Sequence, residues 1–259
     1  MSEPVPVRPA ATILLVRDQP EFEVLMVKRH HQIDFAAGAL VFPGGKTDPS
    51  DHDPAWEALS AGWGEIAADE RPLRIAAIRE AYEEAGILVA RHPSGEVFHG
   101  DQRAVEARAA ISKGEGSLMA LVQELNLRLD LPALTVFARW ITPTLMPKRF
   151  DTWFYLVRAN SDQLAVCDGW ETVDAEWIAP VEAVRLALAR ERTIIFPTRM
   201  NLQLLAEATG AEDAVRRAAG RTLVTVLPEV QDGEGGQVLV IPPDAGYGAV
   251  AVPLSAIGG

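Results

Sequence analysis

Short apolar runs rich in β-branched residues open the chain. Residues 12–16 and 22–27 are two of them, and Asp18-Gln19-Pro20 between them is turn chemistry, so the pair predicts a β-hairpin. Residues 39–42 form a third run, stopped by Pro43-Gly44-Gly45. Residues 134–141 and 152–158 carry Val, Phe, Trp and Tyr and read as central strands, with a shorter strand at 173–178. Between these, the spacing of apolar positions is helical. Pro72 suits the first turn of a helix over 72–85 that Gly86 terminates. Residues 102–111, 117–127, 181–190 and 198–208 also read as helices, with a short one over 212–219. Residues 46–70 are acidic and turn-rich, with a short helix predicted at 54–61. After Arg221, strand-like pieces at 223–227 and 237–241 lie among Gly and Pro. Strands and helices interleave without repeats or a clear linker, which predicts one α/β domain over 1–259.

Composition narrows the function. At 259 residues and 48% apolar content the chain can bury a substantial core. A formal charge of −12 argues against coating nucleic acid or an anionic membrane. It leaves room for a small anionic substrate, because a local site can oppose the global sign. The single cysteine, Cys167, excludes an internal disulfide and a cysteine-based zinc cluster. The start, Met1-Ser2-Glu3-Pro4, has neither a basic nor an apolar leader segment, and no apolar stretch is long enough to span a bilayer. These features predict a soluble cytoplasmic protein.

The candidate chemistry lies at the end of helix 72–85. Residues 79–87 read Arg-Glu-Ala-Tyr-Glu-Glu-Ala-Gly-Ile. Glu80, Glu83 and Glu84 are three and four apart, so their carboxylates share one helical face. They also crowd the negative end of the helix dipole. A hard divalent cation, Mg²⁺ or Mn²⁺, relieves both conflicts.

The Gly44-Gly45 loop, the helix and the Arg79–Ile87 segment together resemble the Nudix hydrolase family. Its signature is G-x5-E-x7-R-E-U-x-E-E-x-G-U, with U apolar. Arg79, Glu80, Ala81, Glu83, Glu84, Gly86 and Ile87 match its second half. The first half is interrupted: the 13 positions between glycine and arginine become the 33 from Lys46 to Ile78, an excess of 20. Counted forward from Gly45, the first glutamate falls on Asp51; counted back from Arg79, it falls on Arg71, beside Glu70. Asp51 and Glu70 both stay open as its substitute. A branch of the family that includes peroxisomal coenzyme A diphosphatases carries such an insertion. The chain is similar to that branch over about residues 11–208: in Phe42-Pro43-Gly44-Gly45, in Trp56, in residues 74–80, in Trp140-Ile141-Thr142-Pro143 and in Arg149-Phe150-Asp151-Thr152. Relatives acting on coenzyme A also carry L-L-T-x-R-S-x3-R-x3-G-x3-F-P-G-G. Leu25, Arg29, Gly38 and residues 42–45 fall at that spacing, while Val27, His30 and Asp34 stand at the Thr, Ser and second Arg positions.

The resemblance implies a Nudix-type α/β/α sandwich with a mixed sheet, an insertion over 46–71 and a C-terminal extension over 221–259. It implies hydrolysis of a nucleoside diphosphate linked to another moiety, with coenzyme A or acyl-CoA the leading substrate. ADP-ribose, a nucleotide sugar, a dinucleotide or an oxidised nucleoside triphosphate are alternatives, as is a sensor without turnover. Glu80, Glu83, Glu84 and the Gly44 carbonyl would hold the metal. Glu171, six residues before Trp177, is a further ligand or general base ahead of Glu176 and Asp174. Arg79 would orient a carboxylate; Gly45, Arg29, Lys148 and Arg149 would face substrate. A homodimer is common in the family. Bland readings sit beside these. The run Asp48, Asp51, Asp53 with His52 reads as a solvated capping loop, His30 and His31 as loop residues, Cys167 as a small buried hydrophobe, and Trp140, Trp153 and Phe154 as core.

Overall fold

A computed structural model describes residues 5–29, 38–159, 172–233 and 236–254. The predicted N-terminal hairpin forms from Val7–Arg17 (β1) and Glu23–Arg29 (β2), in register at Val16 with Val24. Leu40–Val41 (β3) pairs with β2, and Gly44–Lys46 (β4) pairs with β1. Ser60–Ala61 (β5) precedes the long helix Arg71–Ala85 (α1). Ala90–Arg91 (β6), the helices Gln102–Ser112 (α2) and Leu118–Glu124 (α3), and Arg128–Asp130 (β7) follow. Then come the long strands Thr135–Ile141 (β8) and Arg149–Arg158 (β9), with Thr172–Ile178 (β10) beyond them. Helices Pro180–Leu188 (α4), Phe196–Leu205 (α5) and Ala211–Gly220 (α6) lead to Thr225–Val226 (β11), Glu229–Gly233 (β12), Gly236–Val240 (β13) and Ala251–Pro253 (β14).

The main sheet runs β10-β2-β1-β9-β8-β11, with β3 and β4 attached to β2 and β1. It is mixed: β1 lies parallel to β9 from Val7–Arg149 to Val16–Arg158, while β8 and β9 are antiparallel. Strand side chains alternate faces, and here both faces are apolar. Ala11, Ile13, Leu15, Val27 and Tyr155 pack against Ile75, Ile78 and Tyr82 of α1. Leu14, Val16, Met26, Phe154 and Leu156 pack against α5, α6 and the tail residues Leu239 and Ile241. Helices cover both faces, as the predicted α/β/α sandwich requires. Trp140 and Phe154 are buried, and Trp153 is partly so.

Three local expectations fail for physical reasons. In place of the helix predicted at 54–61 stand a 3₁₀ turn, Pro54–Glu57, and β5, with another 3₁₀ turn, Pro49–His52, before them. A proline opens each turn, Asp48 and Asp53 cap them, and pairing of β5 with β7 draws the next residues into a small sheet. The helix at 117–127 stops at Glu124, since Asn126 adopts a left-handed φ of 50°. Gly44 and Gly45 are a strand rather than a loop. A β-carbon on Gly44 would stand 2.6 Å from the Ala11 carbonyl oxygen, so only glycine lets β4 lie that close to β1. In the tail, β11 extends the main sheet and β12-β13-β14 form a separate one.

Candidate active site

Helix α1 carries the glutamates, and its ends are fixed from outside. Pro72 sits in the first turn, and Gly86 closes the helix at φ 73°, its N–H donating to Ala81 and Tyr82 carbonyls. The carbonyl of Glu83 accepts from Arg108 Nε (3.1 Å), Arg108 Nη2 (3.0 Å) and Ser112 Oγ (3.1 Å), all from α2. The turn bearing Glu83 and Glu84 is thereby clamped to α2, and cationic Arg108 complements the negative end of the α1 dipole.

Arg79 organises the carboxylates. Its Nε donates to Asp51 Oδ1 (3.0 Å) and its Nη2 to Asp51 Oδ2 (3.1 Å), a two-pronged contact. Its Nη1 donates to Glu80 Oε1 (2.8 Å) and Glu83 Oε2 (3.1 Å), and Nη2 also reaches the Lys46 carbonyl (2.9 Å). Arg79 thus contacts three carboxylates at once. Asp51, with 2% of its surface exposed, is the acid that joins the cluster. Glu70 instead pairs with Arg74 at 2.9 Å, at the other end of α1. Asp51 also accepts from the Asp48 N–H (2.7 Å), so the reading of the whole acidic run as solvated fails at this residue.

Gly44 and Gly45 meet the cluster at its edge. The Gly44 N–H donates to Glu84 Oε2 (3.0 Å). A β-carbon on Gly45 would lie 2.4 Å from Glu80 Oε1, so this glycine is what admits the Glu80 carboxylate beside β4. Burial pushes the Glu83 carboxyl up to about 7; Glu80 and Asp51 add to the rise and Arg79 opposes it. For Arg79, burial works against the charge, but Glu80, Asp51 and Glu83 outweigh it and hold the guanidinium above its usual range.

Among the described residues, acidic and histidine side chains form no ready three-ligand cage; Arg79 and Gly44 already engage these carboxylates. The donor chemistry nevertheless fits a hard divalent cation. Asp51, Glu80 and Glu83 share one guanidinium, and Glu84 on the same helix reaches Gly44, so the cluster is made of oxygen donors.

The other candidates are scattered. Arg149, at the start of β9, donates to the Thr142 carbonyl (3.1 Å) and the Val5 carbonyl (3.4 Å). It pairs with Val7, four residues along β1 from the Gly45 partner Ala11, about 13 Å at strand rise. Lys148 is exposed beside it. Arg29 ends β2 opposite Thr172, and its side chain lies outside the described set. Glu171, His30, His31 and Cys167 lie outside the described residues. Glu176 stands 3.7 Å from Arg192, and Asp174 is exposed on β10. Arg108 and Ser112 escaped the sequence reading, because a clamp on a main-chain carbonyl leaves no spacing signature.

A mixed sheet under a helix with this carboxylate set defines a pyrophosphohydrolase of the Nudix class. The NUDIX domain profile matches residues 6–110 and the NUDT19 Nudix domain profile matches residues 60–204. That second match takes in more than half of the chain, which therefore belongs to the NUDT19 Nudix family. The chain is 24% identical to the acyl-coenzyme A diphosphatase NUDT19 of Xenopus laevis, over 88% of this chain and 72% of that protein. To the human protein of the same name it is 27% identical, over 87% and 72%. The crystal structure of a NUDIX hydrolase from Alicyclobacillus acidocaldarius superposes with a TM-score of 0.73 at 29% identity, covering 82% of this chain and 96% of that one. Nudix hydrolases generally need a divalent metal. No helix among the described residues is long and apolar enough to cross a membrane.

Proposed function

We propose that the chain hydrolyses the diphosphate of coenzyme A or its acyl derivatives, with Mg²⁺ or Mn²⁺ held by Glu80, Glu83 and Glu84. The Gly44 carbonyl and Glu171 would complete the oxygen set. The observation that supports catalysis is the excess of carboxylates gathered on Arg79 at the edge of β4. The substrate reading rests on relatives named acyl-coenzyme A diphosphatase, together with Leu25, Arg29, Gly38 and residues 42–45 at the expected spacing.

The bound cation would neutralise the diphosphate and acidify a water. The chain's own part is positioning. Arg79 keeps Asp51, Glu80 and Glu83 in one orientation, α2 holds the Glu83 turn, and Gly45 keeps the approach to Glu80 open. A carboxylate of this set, or Glu171, takes the proton as the water oxygen bonds to phosphorus. The P–O–P linkage then breaks, releasing adenosine 3′,5′-bisphosphate and a phosphopantetheine product. Arg29, Lys148 and Arg149 would oppose the substrate's charge. The cytoplasm, where a lone cysteine stays reduced, suits such an enzyme.

The test offers the purified protein coenzyme A, ADP-ribose, diadenosine polyphosphates and nucleoside triphosphates with Mg²⁺ or Mn²⁺, and resolves the products by chromatography. Coenzyme A should be cleaved with the highest kcat/KM, and Glu83→Gln should lower turnover about a thousandfold or more while the protein stays folded. Faster cleavage of another diphosphate would replace the substrate. Tight binding of one compound with no cleavage of any would favour a sensor.

A further inference from the structure

A second guanidinium, on the sheet face opposite α1, sits in a different setting. Arg221 directly follows α6, is partly buried, and lies 4.9 Å over the Phe137 ring of β8. Its Nη2 donates to the Phe137 carbonyl. Among the described residues its Nε and Nη1 have no acceptor, and no carboxylate forms an ion pair with it. Burial lowers its pKa, with Tyr247 and Glu207 opposing. A cation drawn partly out of water without a counter-ion favours any anion that can reach it.

The space for one lies alongside. Helix α6 turns Ala214 and Ala218 inward where α5 ends on Leu204 and Leu205, and the small alanines leave a cavity of about 290 Å³ lined also by Phe137 and Arg221. The rim charges are otherwise engaged: Arg217 Nε meets Asp213 at 2.9 Å, and Glu207 stands 3.8 Å from Arg217 Nη1. Apart from the Glu207–Arg217 pair, Arg221 lies among aliphatic and aromatic walls. The volume is at the lower end for small-molecule pockets.

We propose that this cavity binds a monocarboxylate with a short alkyl tail. One guanidinium charge and a largely apolar lining match a monocarboxylate with a tail, whereas a compact, strongly hydrated phosphate leaves that lining unfilled. The tail lies over Phe137 towards Ala214 and Ala218. The sheet separates this site from Glu80 and Glu83, so it is no part of the catalytic cluster.

Octanoate and inorganic phosphate, titrated separately into the full chain by calorimetry, test the assignment. Octanoate should bind saturably, one per chain, and phosphate at least tenfold more weakly. Arg221→Met, which removes the charge, and Ala218→Leu, which fills the cavity and keeps the arginine, should each weaken octanoate at least tenfold. Melting curves establish that each variant is folded; if Arg221→Met is not, Ala218→Leu decides alone. No saturable octanoate binding by the wild type, unchanged binding by Ala218→Leu, or phosphate binding as tightly as octanoate overturns the proposal.

Discussion

Arg79 and Arg221 stand on opposite faces of one sheet and have opposite problems. Arg79 is shared by Asp51, Glu80 and Glu83, three carboxylates on one guanidinium, and Glu84 on the same helix accepts from Gly44 of β4. Arg221 has a carbonyl and an aromatic ring but no carboxylate among the described residues. A fold built for stability alone would have distributed these charges more evenly. Local imbalance of this kind is what functional sites retain. On our reading the α1 face suits a cation and the α6 face an anion.

The comparison breaks most completely at Arg79. Arg79→Met leaves the Asp51 carboxylate, whose side chain is 1% exposed, buried without its counter-ion. Loss of one partner from such a pair costs about 3–5 kcal/mol. Chemical denaturation should show that loss, with activity falling as Glu80 and Glu83 lose their common anchor. Arg79→Lys should recover little of either, because an ammonium cannot make the two-pronged contact with Asp51. Wild-type stability in Arg79→Met would remove Arg79 as the organiser.

The two glycines of β4 sharpen the picture one step lower. In Gly45→Ala the new methyl meets Glu80 Oε1, which is pinned by Arg79, so the carboxylate must shift. Overpacking of this kind costs about 1–3 kcal/mol, and kcat should fall more steeply than stability. Gly44→Ala collides with the main chain of β1 instead and should act chiefly on stability. Equal effects of the two on kcat, after correction for the folded fraction, would contradict a specific Gly45–Glu80 contact.

A smaller effect separates the faces by pH. The Glu83 carboxyl titrates at about 7 in the folded chain against an ordinary 4.5. Between those values the metal-free folded state holds a proton that the unfolded state has lost, so stability falls as pH rises. Melting temperatures in chelator, wild type minus Glu83→Gln, should therefore decline from pH 5 to pH 8. Mg²⁺ or Mn²⁺ should reverse the decline at the upper end, where binding no longer displaces the proton. On the other face, Tyr247 is pushed up to about 12 by burial and contributes nothing to that window. A flat difference curve would show that Glu83 is not the group held protonated.

Much of this was legible in the chain, for reasons that also explain what was not. The apolar runs of β1, β2 and β9 and the Glu80, Glu83, Glu84 spacing are local patterns, and local periodicity survives folding. Spacing could not choose between Asp51 and Glu70, because counting forward from Gly45 and back from Arg79 gave different answers. The choice is made by burial, when two capped 3₁₀ turns carry Asp51 back onto Arg79, 28 positions away. Arg108 and Arg221 were invisible for the same reason. One acts on a carbonyl, and the other is defined by the partners that tertiary structure withholds from it.

The last contrast concerns how the tail joins the second face. Tyr247 Oη donates to Asn201 Oδ1 (2.6 Å) and accepts from Trp140 Nε1 (3.1 Å), tying the tail to α5 and β8. Asn201 is fully buried and its Nδ2 already has no partner among the described residues. Tyr247→Phe strips the acceptor from Trp140 and the donor from Asn201, at about 1–3 kcal/mol for the groups left unsatisfied. Because α1 lies across the sheet, kcat/KM should stay within about twofold, roughly 0.4 kcal/mol of transition-state stabilisation. Denaturation midpoints and steady-state rates on one preparation measure both. A stability loss with unchanged kcat/KM means that the second face supports the fold without contributing to the chemistry. A large fall in kcat/KM would mean that the sheet transmits what happens at Tyr247 to Glu80 and Glu83, and the two faces could no longer be treated as independent.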